Sequence, residues 1–189
     1  MPFDHFDILA PIYERVIPAA ATESMLRELD PTPDCRLLDA GGGTGRVSGF
    51  LREHVDSVVL SDISMGMLKQ ASKKNDLQPT CALTETMPFS DDFFDRILIV
   101  DALHHVADQA KTARELWRIL KPDGRIVIQE PDIRTFAVKL IAVAEKLALM
   151  RSHFLAPQAI IDLFPFKGAD VDVRAEDFNV WVIVKKPMI

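Results

Sequence analysis

The stretch LLDAGGGTG, residues 37–45, holds four of the eight glycines of the chain within five positions. Glycine loses more backbone entropy on folding than any other residue, so this density indicates a loop that another group approaches closely. An acid, Asp39, stands two positions before the first glycine, Gly41. Loops of this kind commonly hold a ligand that contains a nucleotide.

Two common glycine-loop sites do not fit these residues. A dinucleotide site has the pattern G-x-G-x-x-G or A, but counting from Gly41 the third small position is occupied by Arg46. A phosphate-binding P-loop needs lysine and then Ser or Thr after its last glycine, whereas Gly45 is followed by Arg46 and Val47. A nicotinamide-dependent oxidoreductase is therefore disfavoured. The pattern that is present is D-x-G-x-G-x-G, formed by Asp39, Gly41, Gly43 and Gly45.

Other polar side chains follow the predicted strands. Asp62 and Asp101 each stand where an apolar run ends, and each could either contact a ligand or cap the next helix. His104 and His105 follow shortly after and could act as a base, as metal ligands or as structural residues. Adjacent histidines point to different sides of a helix or turn, so we predict no metal site here.

Alternating strands and helices position these residues. Apolar runs predict strands at 35–41, 57–62, 80–84, 94–103 and 125–131, and helical periodicity lies between them at 47–54, 64–75 and 113–120. Two further strands, 171–177 and 178–186, have almost no loop between them and predict a hairpin. The fold class is therefore α/β, a doubly wound, seven-stranded, mostly parallel sheet with a C-terminal antiparallel hairpin. In such a sheet, ligands bind beyond the carboxyl ends of the strands.

The two ends of the chain add helices to this sheet. One or two helices are predicted before Asp34. Apolar residues three or four positions apart form a stripe that predicts a helix at 136–150, and another helix is predicted at 157–163. The stripe is expected to be core rather than a lipid slot. It also leaves open a homodimer interface.

Composition limits the classes of partner. The net charge of −6 argues against nucleic-acid binding. The longest apolar segment, 136–150, contains Lys139, Glu145 and Lys146, so no integral membrane segment is expected. The only cysteines, Cys35 and Cys81, lack metal-ligand spacing and are both expected to be buried, which favours a reducing, cytoplasmic location.

The glycine motif and its companions resemble the class I S-adenosylmethionine-dependent methyltransferases, and within them the small ubiquinone/menaquinone-biosynthesis-like subgroup, methyltransferase type 11. The matching segments are FDILAPIYERV (6–16), LSDIS (60–64), MPFSDDFFDRILIVDALHHV (87–106) and ARELWRILKPDGRIVIQEP (113–131). The resemblance implies a Rossmann-like methyltransferase fold in one domain, residues 1–189. Its parts would be an N-terminal helical segment at 1–33, a cofactor-binding core at 34–131, and a short helical insert with the terminal hairpin at 132–189.

The resemblance also implies a cofactor, S-adenosylmethionine, which would be converted to S-adenosylhomocysteine. The three motif glycines, Gly41, Gly43 and Gly45, would admit its methionine part. Asp39 would face the methionine ammonium directly or through water, and Asp101 would line the methionine and sulfonium region. Asp62 would accept hydrogen bonds from the ribose hydroxyls.

The adenine end departs from the subgroup. Ile63, with Met67 or Met65, would pack on the adenine face. The acid that usually binds the adenine amino group is replaced by Leu83. The amino group would then bind a backbone carbonyl or Glu85, while the Thr84 amide serves the ring nitrogen.

The activity implied is transfer of the sulfonium methyl group to O, N or C of a small-molecule acceptor by in-line displacement. A small hydrophobic acceptor and a larger one in an open site are both compatible with the short insert. The catalytic residues are not fixed by the motifs, and the candidates are His104, His105 and Tyr13, the last on a segment that could cover the site. Glu130 and Asp132 either border the acceptor or are solvated loop acids. The alternative function is a non-catalytic, cofactor-binding domain that acts as a partner or regulator.

Overall fold

A seven-stranded sheet in the strand order β3-β2-β1-β4-β5-β7-β6 forms the centre of the computed structural model, which describes residues 10–11, 13–16, 23–147 and 152–188. Strands β1 to β5 are parallel to one another, and β7 runs antiparallel to both β5 and β6. The predicted fold class is confirmed. The strands are β1 Arg36–Ala40, β2 Ser57–Asp62, β3 Leu77–Cys81, β4 Phe94–Val100, β5 Leu120–Pro131, β6 Asp170–Glu176 and β7 Asn179–Lys185.

Seven helices are present among the residues described. They are α1 Tyr13–Val16, α2 Glu23–Leu29, α3 Ser48–Leu51, α4 Met65–Ala71, α5 Gln109–Ile119, α6 Phe136–Leu147 and α7 Pro157–Ile161. Short 3₁₀ turns follow α3 at Arg52–His54 and β4 at Leu103–His105. Ser64 caps α4, because its hydroxyl accepts a hydrogen bond from the Met67 amide at 3.2 Å.

Helices cover both faces of the sheet. On one face, apolar side chains of α2, α3 and α4 pack against β1 and β2, with Met25, Leu51 and Leu68 among the buried residues. On the other face, α5 and α7 pack against β4, β5 and β7, with Leu116 and Ile160 in the core. The sheet is therefore apolar on both sides, as expected for parallel strands.

The chain order reverses at β1, which lies between β2 and β4. The carboxyl ends of these three strands consequently meet at one edge of the sheet. Crevices at such a reversal are the usual ligand sites of doubly wound sheets. The glycine loop follows β1 at this edge.

Three strands differ by several residues from their predicted bounds. Strand β3 covers Leu77–Cys81 rather than 80–84 and includes Pro79, which an edge strand tolerates because one side of it has no ladder to complete. Strand β4 ends at Val100 rather than at 103, and β5 begins at Leu120 rather than at 125. The β3 shift also leaves Cys81 exposed, so the expectation that it is buried is wrong, while Cys35 is buried as expected.

The expectation that the stripe on α6 forms core is also wrong. Phe136 is 75% exposed, and Leu140, Ile141 and Val143 are exposed as well, whereas Val138 is 1% exposed. Periodicity predicts that a helix has an apolar face, but only the tertiary structure decides whether another element covers it. The homodimer expectation stays a prediction. Residues 148–150 of the predicted helix lie outside the described residues.

In the part of the chain that the structure describes, no helix combines the length and the apolarity needed to cross a bilayer.

Candidate cofactor site

The glycine loop turns sharply after β1. Gly41, Gly43 and Gly45 have φ angles of +71°, +56° and +73°, a left-handed conformation that side chains disfavour. A Cβ atom on Gly41 would lie 2.7 Å from Ala102 Cβ, and one on Gly45 would lie 2.7 Å from Leu77 Cδ1. These two glycines are thus required by the packing of the protein itself.

Gly43 differs from the other two glycines. The nearest atoms to a Cβ at this position would be Met67 Sδ at 3.9 Å and Asp62 Oδ2 at 4.0 Å, both at ordinary contact distance. The protein therefore leaves room beside Gly43. This is the glycine of the motif whose open side another molecule could approach.

Asp62 joins the glycine loop to the end of β2. Its Oδ2 accepts a hydrogen bond from the Gly43 amide at 2.9 Å, and its Oδ1 accepts one from the Ser64 amide at 2.8 Å. The capping role and the ligand role that the sequence left open can coexist, because a carboxylate has about four acceptor positions.

Asp39 lies beneath the loop and is buried. The Ser48 hydroxyl donates a hydrogen bond to its Oδ2, and a Cβ on Gly42 would be 2.7 Å from the same oxygen. Burial raises the pKa of the Asp39 carboxyl to about 6. Any influence of Asp39 on a molecule above the loop is therefore exerted through the loop rather than by direct contact.

Asp101 follows β4 and forms an ion pair across the glycine loop. Its Oδ2 lies 2.8 Å from Arg46 Nη2, and the side chains are 33% and 7% exposed respectively. Asp101 itself has a φ of +52°. The sequence motif indicated only that Arg46 rules out a dinucleotide loop, and its partner could not be inferred because the two residues are 55 positions apart.

The short helix α1 contacts the same loop. Glu14 Oε1 accepts a hydrogen bond from Thr44 Oγ1 at 2.7 Å and forms an ion pair with Lys74. Burial raises the pKa of Tyr13, and the nearby Arg46 guanidinium offsets part of that rise. Tyr13 therefore lies beside the Arg46–Asp101 pair, where a covering residue is expected.

The residues expected at the adenine end have different environments. Ile63 and Leu83 are exposed, while Met67 is buried below Gly43. Thr84 is buried, and its hydroxyl lies 3.1 Å from Thr112 Oγ1. Ile63 directly follows Asp62, and Leu83 follows Ala82, whose amide donates a hydrogen bond to the Asp62 carbonyl at 3.2 Å.

Glu85 makes its hydrogen bonds within the protein. Its Oε1 accepts hydrogen bonds from the Ala107 and Asp108 amides at 3.0 and 3.1 Å, which fixes the segment that leads into α5. Its Oε2 accepts from the Thr84 hydroxyl at 3.2 Å. Both carboxylate oxygens of Glu85 thus have partners within the protein. These contacts favour a structural role, while the expectation that Glu85 binds an adenine amino group stays a prediction.

Glu130 fixes the turn that follows β4. Its Oε1 accepts hydrogen bonds from the Ala102 and Leu103 amides at 3.0 and 2.8 Å, and its Oε2 lies 2.5 Å from His104 Nδ1. Glu130 is only 3% exposed, and Asp132 is buried and paired with Arg134. The alternative that these two acids are solvated is wrong.

The two histidines have opposite electrostatic environments. Burial alone would lower the pKa of His104, but the hydrogen bond and the charge of Glu130 outweigh it and the pKa is raised. Burial lowers the pKa of His105 to about 3, and the neighbouring His104 adds to this effect. His105 is therefore neutral at physiological pH.

Residues 38–128 match the sequence model of a family described as "Methyltransferase domain". The ubiquinone/menaquinone biosynthesis C-methyltransferase UbiE of Pectobacterium carotovorum is 37% identical over 105 residues, which are 50% of this chain and 42% of that protein. Demethylmenaquinone methyltransferase of Corynebacterium urealyticum is 34% identical over 126 residues, which are 67% of this chain and 54% of that protein. The chain spans about half the length of these curated relatives.

Solved structures show the same fold. An S-adenosylmethionine-dependent methyltransferase from Mesorhizobium loti is similar with a TM-score of 0.77 and 18% identity, over 89% of this chain and 99% of that chain. Together with the sequence matches, this confirms the resemblance that the motifs predict.

Proposed function

We propose that this protein binds S-adenosylmethionine and transfers its methyl group to a small hydrophobic molecule. The premise of this proposal is that residues 38–128 form a methyltransferase domain of the class I type. The observation that carries the proposal is the Asp62 carboxylate, which is bonded to the Gly43 amide beside the open side of that glycine. In this proposal residues 34–131 are the cofactor-binding core, and the segments on either side cover it.

The ribose end of the cofactor fits Asp62. Two hydroxyl groups on adjacent carbons can donate to the two oxygens of the Asp62 carboxylate, which the Gly43 and Ser64 amides hold in place. Hydrogen bonds to a charged carboxylate are stronger than those between neutral groups. The exposed side chains of Ile63 and Leu83 would contact the face of the adenine ring. Backbone groups near Thr84 would form hydrogen bonds with the edge of the ring.

The amino-acid end of the cofactor fits the Arg46–Asp101 pair. That end carries an ammonium and a carboxylate, and the pair presents one charge of each sign at the carboxyl edge of the sheet. Gly41 and Gly45 keep the loop close to this pair, because neither position has room for a side chain. The negative charge of Asp39 would attract the ammonium group of the cofactor from the other side of the glycine loop.

The cofactor supplies a methyl group on a positively charged sulfur, which is already a strong electrophile. The task of this chain is therefore to hold the two reactants in line, and such positioning can account for roughly 7–11 kcal/mol of a reaction barrier. Tyr13 would exclude water from above the Arg46–Asp101 pair. A base is needed only for an acceptor that arrives protonated.

The relatives' names guide the choice of acceptor. One is described as a quinone-pathway C-methyltransferase and another as a demethylmenaquinone methyltransferase. We therefore take a demethylated quinone, chemically reduced to its hydroquinone form, as the first acceptor to test, as one member of the small hydrophobic class. Its hydroxyl groups make the ring carbon nucleophilic, and that carbon releases its proton to solvent after it receives the methyl group.

Isothermal titration of the full chain with S-adenosylmethionine and S-adenosylhomocysteine tests cofactor binding, and we expect one site with micromolar affinity. Absence of binding at millimolar concentration would overturn the proposal. Incubation with methyl-labelled cofactor and a detergent-dispersed, chemically reduced demethylmenaquinone, or a metabolite extract, tests transfer. Binding without label transfer to any acceptor would instead favour the non-catalytic alternative.

A further inference from the structure

Three side chains with metal-binding atoms meet beyond the carboxyl end of β4. His104 and His105 come from the 3₁₀ turn, and Glu145 comes from α6. One nitrogen or oxygen atom of each lies within 4.8 Å of the others. The ring centroids of the two histidines are 4.0 Å apart. The tight turn thus places adjacent histidines near one point, contrary to the sequence expectation that they face apart.

Glu145 has a carboxylate oxygen without a hydrogen-bond partner among the described residues. Its Oε2 is buried and accepts no hydrogen bond from any part of the chain that the structure describes. A buried carboxylate oxygen without a partner is unfavourable, and such groups usually pair with a cation or coordinate a metal. The Glu145 carboxylate belongs to the same cluster as the two imidazole rings, so a cation bound there would compensate its charge.

His104 is held as metal-binding histidines are commonly held. Glu130 Oε2 lies 2.5 Å from Nδ1 of His104, and because a carboxylate only accepts hydrogen bonds, the proton belongs on Nδ1. The lone pair is then on Nε2, free to bind an ion. Phe154 stacks on the ring with a centroid distance of 4.2 Å and fixes its plane. A carboxylate behind a histidine is the usual support of a metal ligand.

We propose that His104, His105 and Glu145 bind one divalent transition-metal ion, with Zn²⁺ as the reference ion. Two imidazole nitrogens and one carboxylate oxygen suit zinc and similar first-row ions better than Mg²⁺ or Ca²⁺, which prefer oxygen ligands alone. Zinc–ligand distances are about 2.0–2.2 Å, so the three side chains would close around the ion by small rotations.

Three protein ligands leave a coordination position open, which is typical of catalytic rather than structural zinc sites. The two histidines follow Asp101 within four residues, at the edge of the sheet where the proposed cofactor site lies. A hydroxyl group bound to the ion would lose its proton more readily. The ion would therefore activate a hydroxyl-bearing acceptor, and this last step, unlike the metal site itself, rests on the proposed methyl transfer.

Metal titration of the full chain tests the site. After chelator treatment and its removal, we expect Zn²⁺ to bind with a stoichiometry near one by calorimetry and elemental analysis. Co²⁺ should give visible absorption bands of a low-symmetry site. Glu145→Gln and His105→Asn should each weaken Zn²⁺ binding at least tenfold, whereas His153→Gln, which changes an exposed histidine outside the cluster, should leave it unchanged.

Two results would overturn the proposal: less than a tenth of an equivalent of Zn²⁺ bound by folded protein, or equal affinity in all three variants. Circular dichroism of each variant identifies any that fail to fold, and Glu145→Gln is expected to fold because it removes a buried charge. S-adenosylmethionine titrated into the same metal-free samples separates the two hypotheses. Cofactor binding without metal binding refutes only the metal site, and the reverse refutes only the proposed function.

Discussion

The Gly43 amide donates a hydrogen bond to the Asp62 carboxylate over 2.9 Å, although the two residues are 19 positions apart and stand at the ends of different strands. This bond ties the loop after β1 to the end of β2. It also directs the carboxylate toward the open side of the one motif glycine that has room beside it.

Replacing Asp62 should weaken cofactor binding more than folding. In Asp62→Ala we expect the affinity for S-adenosylmethionine to fall roughly ten- to hundredfold, because hydrogen bonds to a charged group contribute about 1.5–3 kcal/mol. Calorimetry measures the affinity, and a thermal melt reports the loss of the Gly43 and Ser64 contacts. Asp56→Asn, at an exposed acid beyond the opposite end of β2, is the matched control and should bind normally. Unchanged affinity in Asp62→Ala would remove Asp62 from the site.

The motif glycines should separate into two kinds. Gly45→Ala should destabilise the fold, since its Cβ would lie 2.7 Å from Leu77 and φ is +73°. Gly43→Ala meets no close contact, so we expect only the backbone penalty of about 1 kcal/mol, together with a clear loss of cofactor affinity. Urea denaturation and calorimetry on both variants check this. Equal destabilisation by the two substitutions would contradict it.

Asp39 should make stability depend on pH. Its pKa is raised from an ordinary 3.8 to about 6, so the folded state holds a proton that the unfolded state releases. This contribution is fully present below pH 3.8 and is lost as the pH rises through about 6. Roughly two pKa units correspond to about 3 kcal/mol. Because asparagine does not titrate, the free energy of unfolding of Asp39→Asn relative to wild type should rise by up to that amount between pH 4 and pH 7.

Chemical denaturation of both proteins at pH 4 and pH 7 measures this difference. A constant difference at the two pH values would show that Asp39 titrates normally.

Glu85 should act on stability and not on ligand binding. Glu85→Ala removes the acceptor of two amides that precede α5. We expect the free energy of unfolding to fall by about 0.5–1.5 kcal/mol, because the two amides are at exposed positions where water can replace the lost acceptor. The affinity for S-adenosylmethionine should stay within twofold of wild type. A tenfold loss of affinity in a variant that remains folded would instead restore Glu85 as an adenine ligand.

The exposed face of α6 should tolerate truncation. Leu140→Ala should change the free energy of unfolding by less than about 0.5 kcal/mol, as is usual for surface positions. Val138→Ala, on the buried side of the same helix, should lower it by roughly 1–3 kcal/mol. The pair is compared by urea denaturation at low protein concentration. A large loss at Leu140 would show that this face is covered in solution.

The sheet and the start of the site could be predicted from sequence because their signals are local. The apolar runs of β1, β2 and β4 and the glycines between them are contiguous in the chain, so periodicity and one motif identify them. Strand β3 was shifted because Pro79 interrupts its pattern, and only its place at the sheet edge explains why a proline is accepted there.

The contacts that complete the site are not local. Arg46 reaches Asp101 from 55 positions away, and Glu130 reaches His104 from 26. Glu145 carries no signal in the sequence beyond being a charge within an apolar helix. Its approach to the histidines depends on how α6 packs, which periodicity cannot supply.

The contacts of α1 have a kinetic consequence. Glu14 binds both Thr44 of the glycine loop and Lys74 beyond α4, and the Tyr13 side chain is hydrogen-bonded to Arg46. Under the proposed function, we expect these contacts to break and re-form when the cofactor enters and departs. The lifetime of the contacts made by this four-residue helix would then influence the residence time of the cofactor.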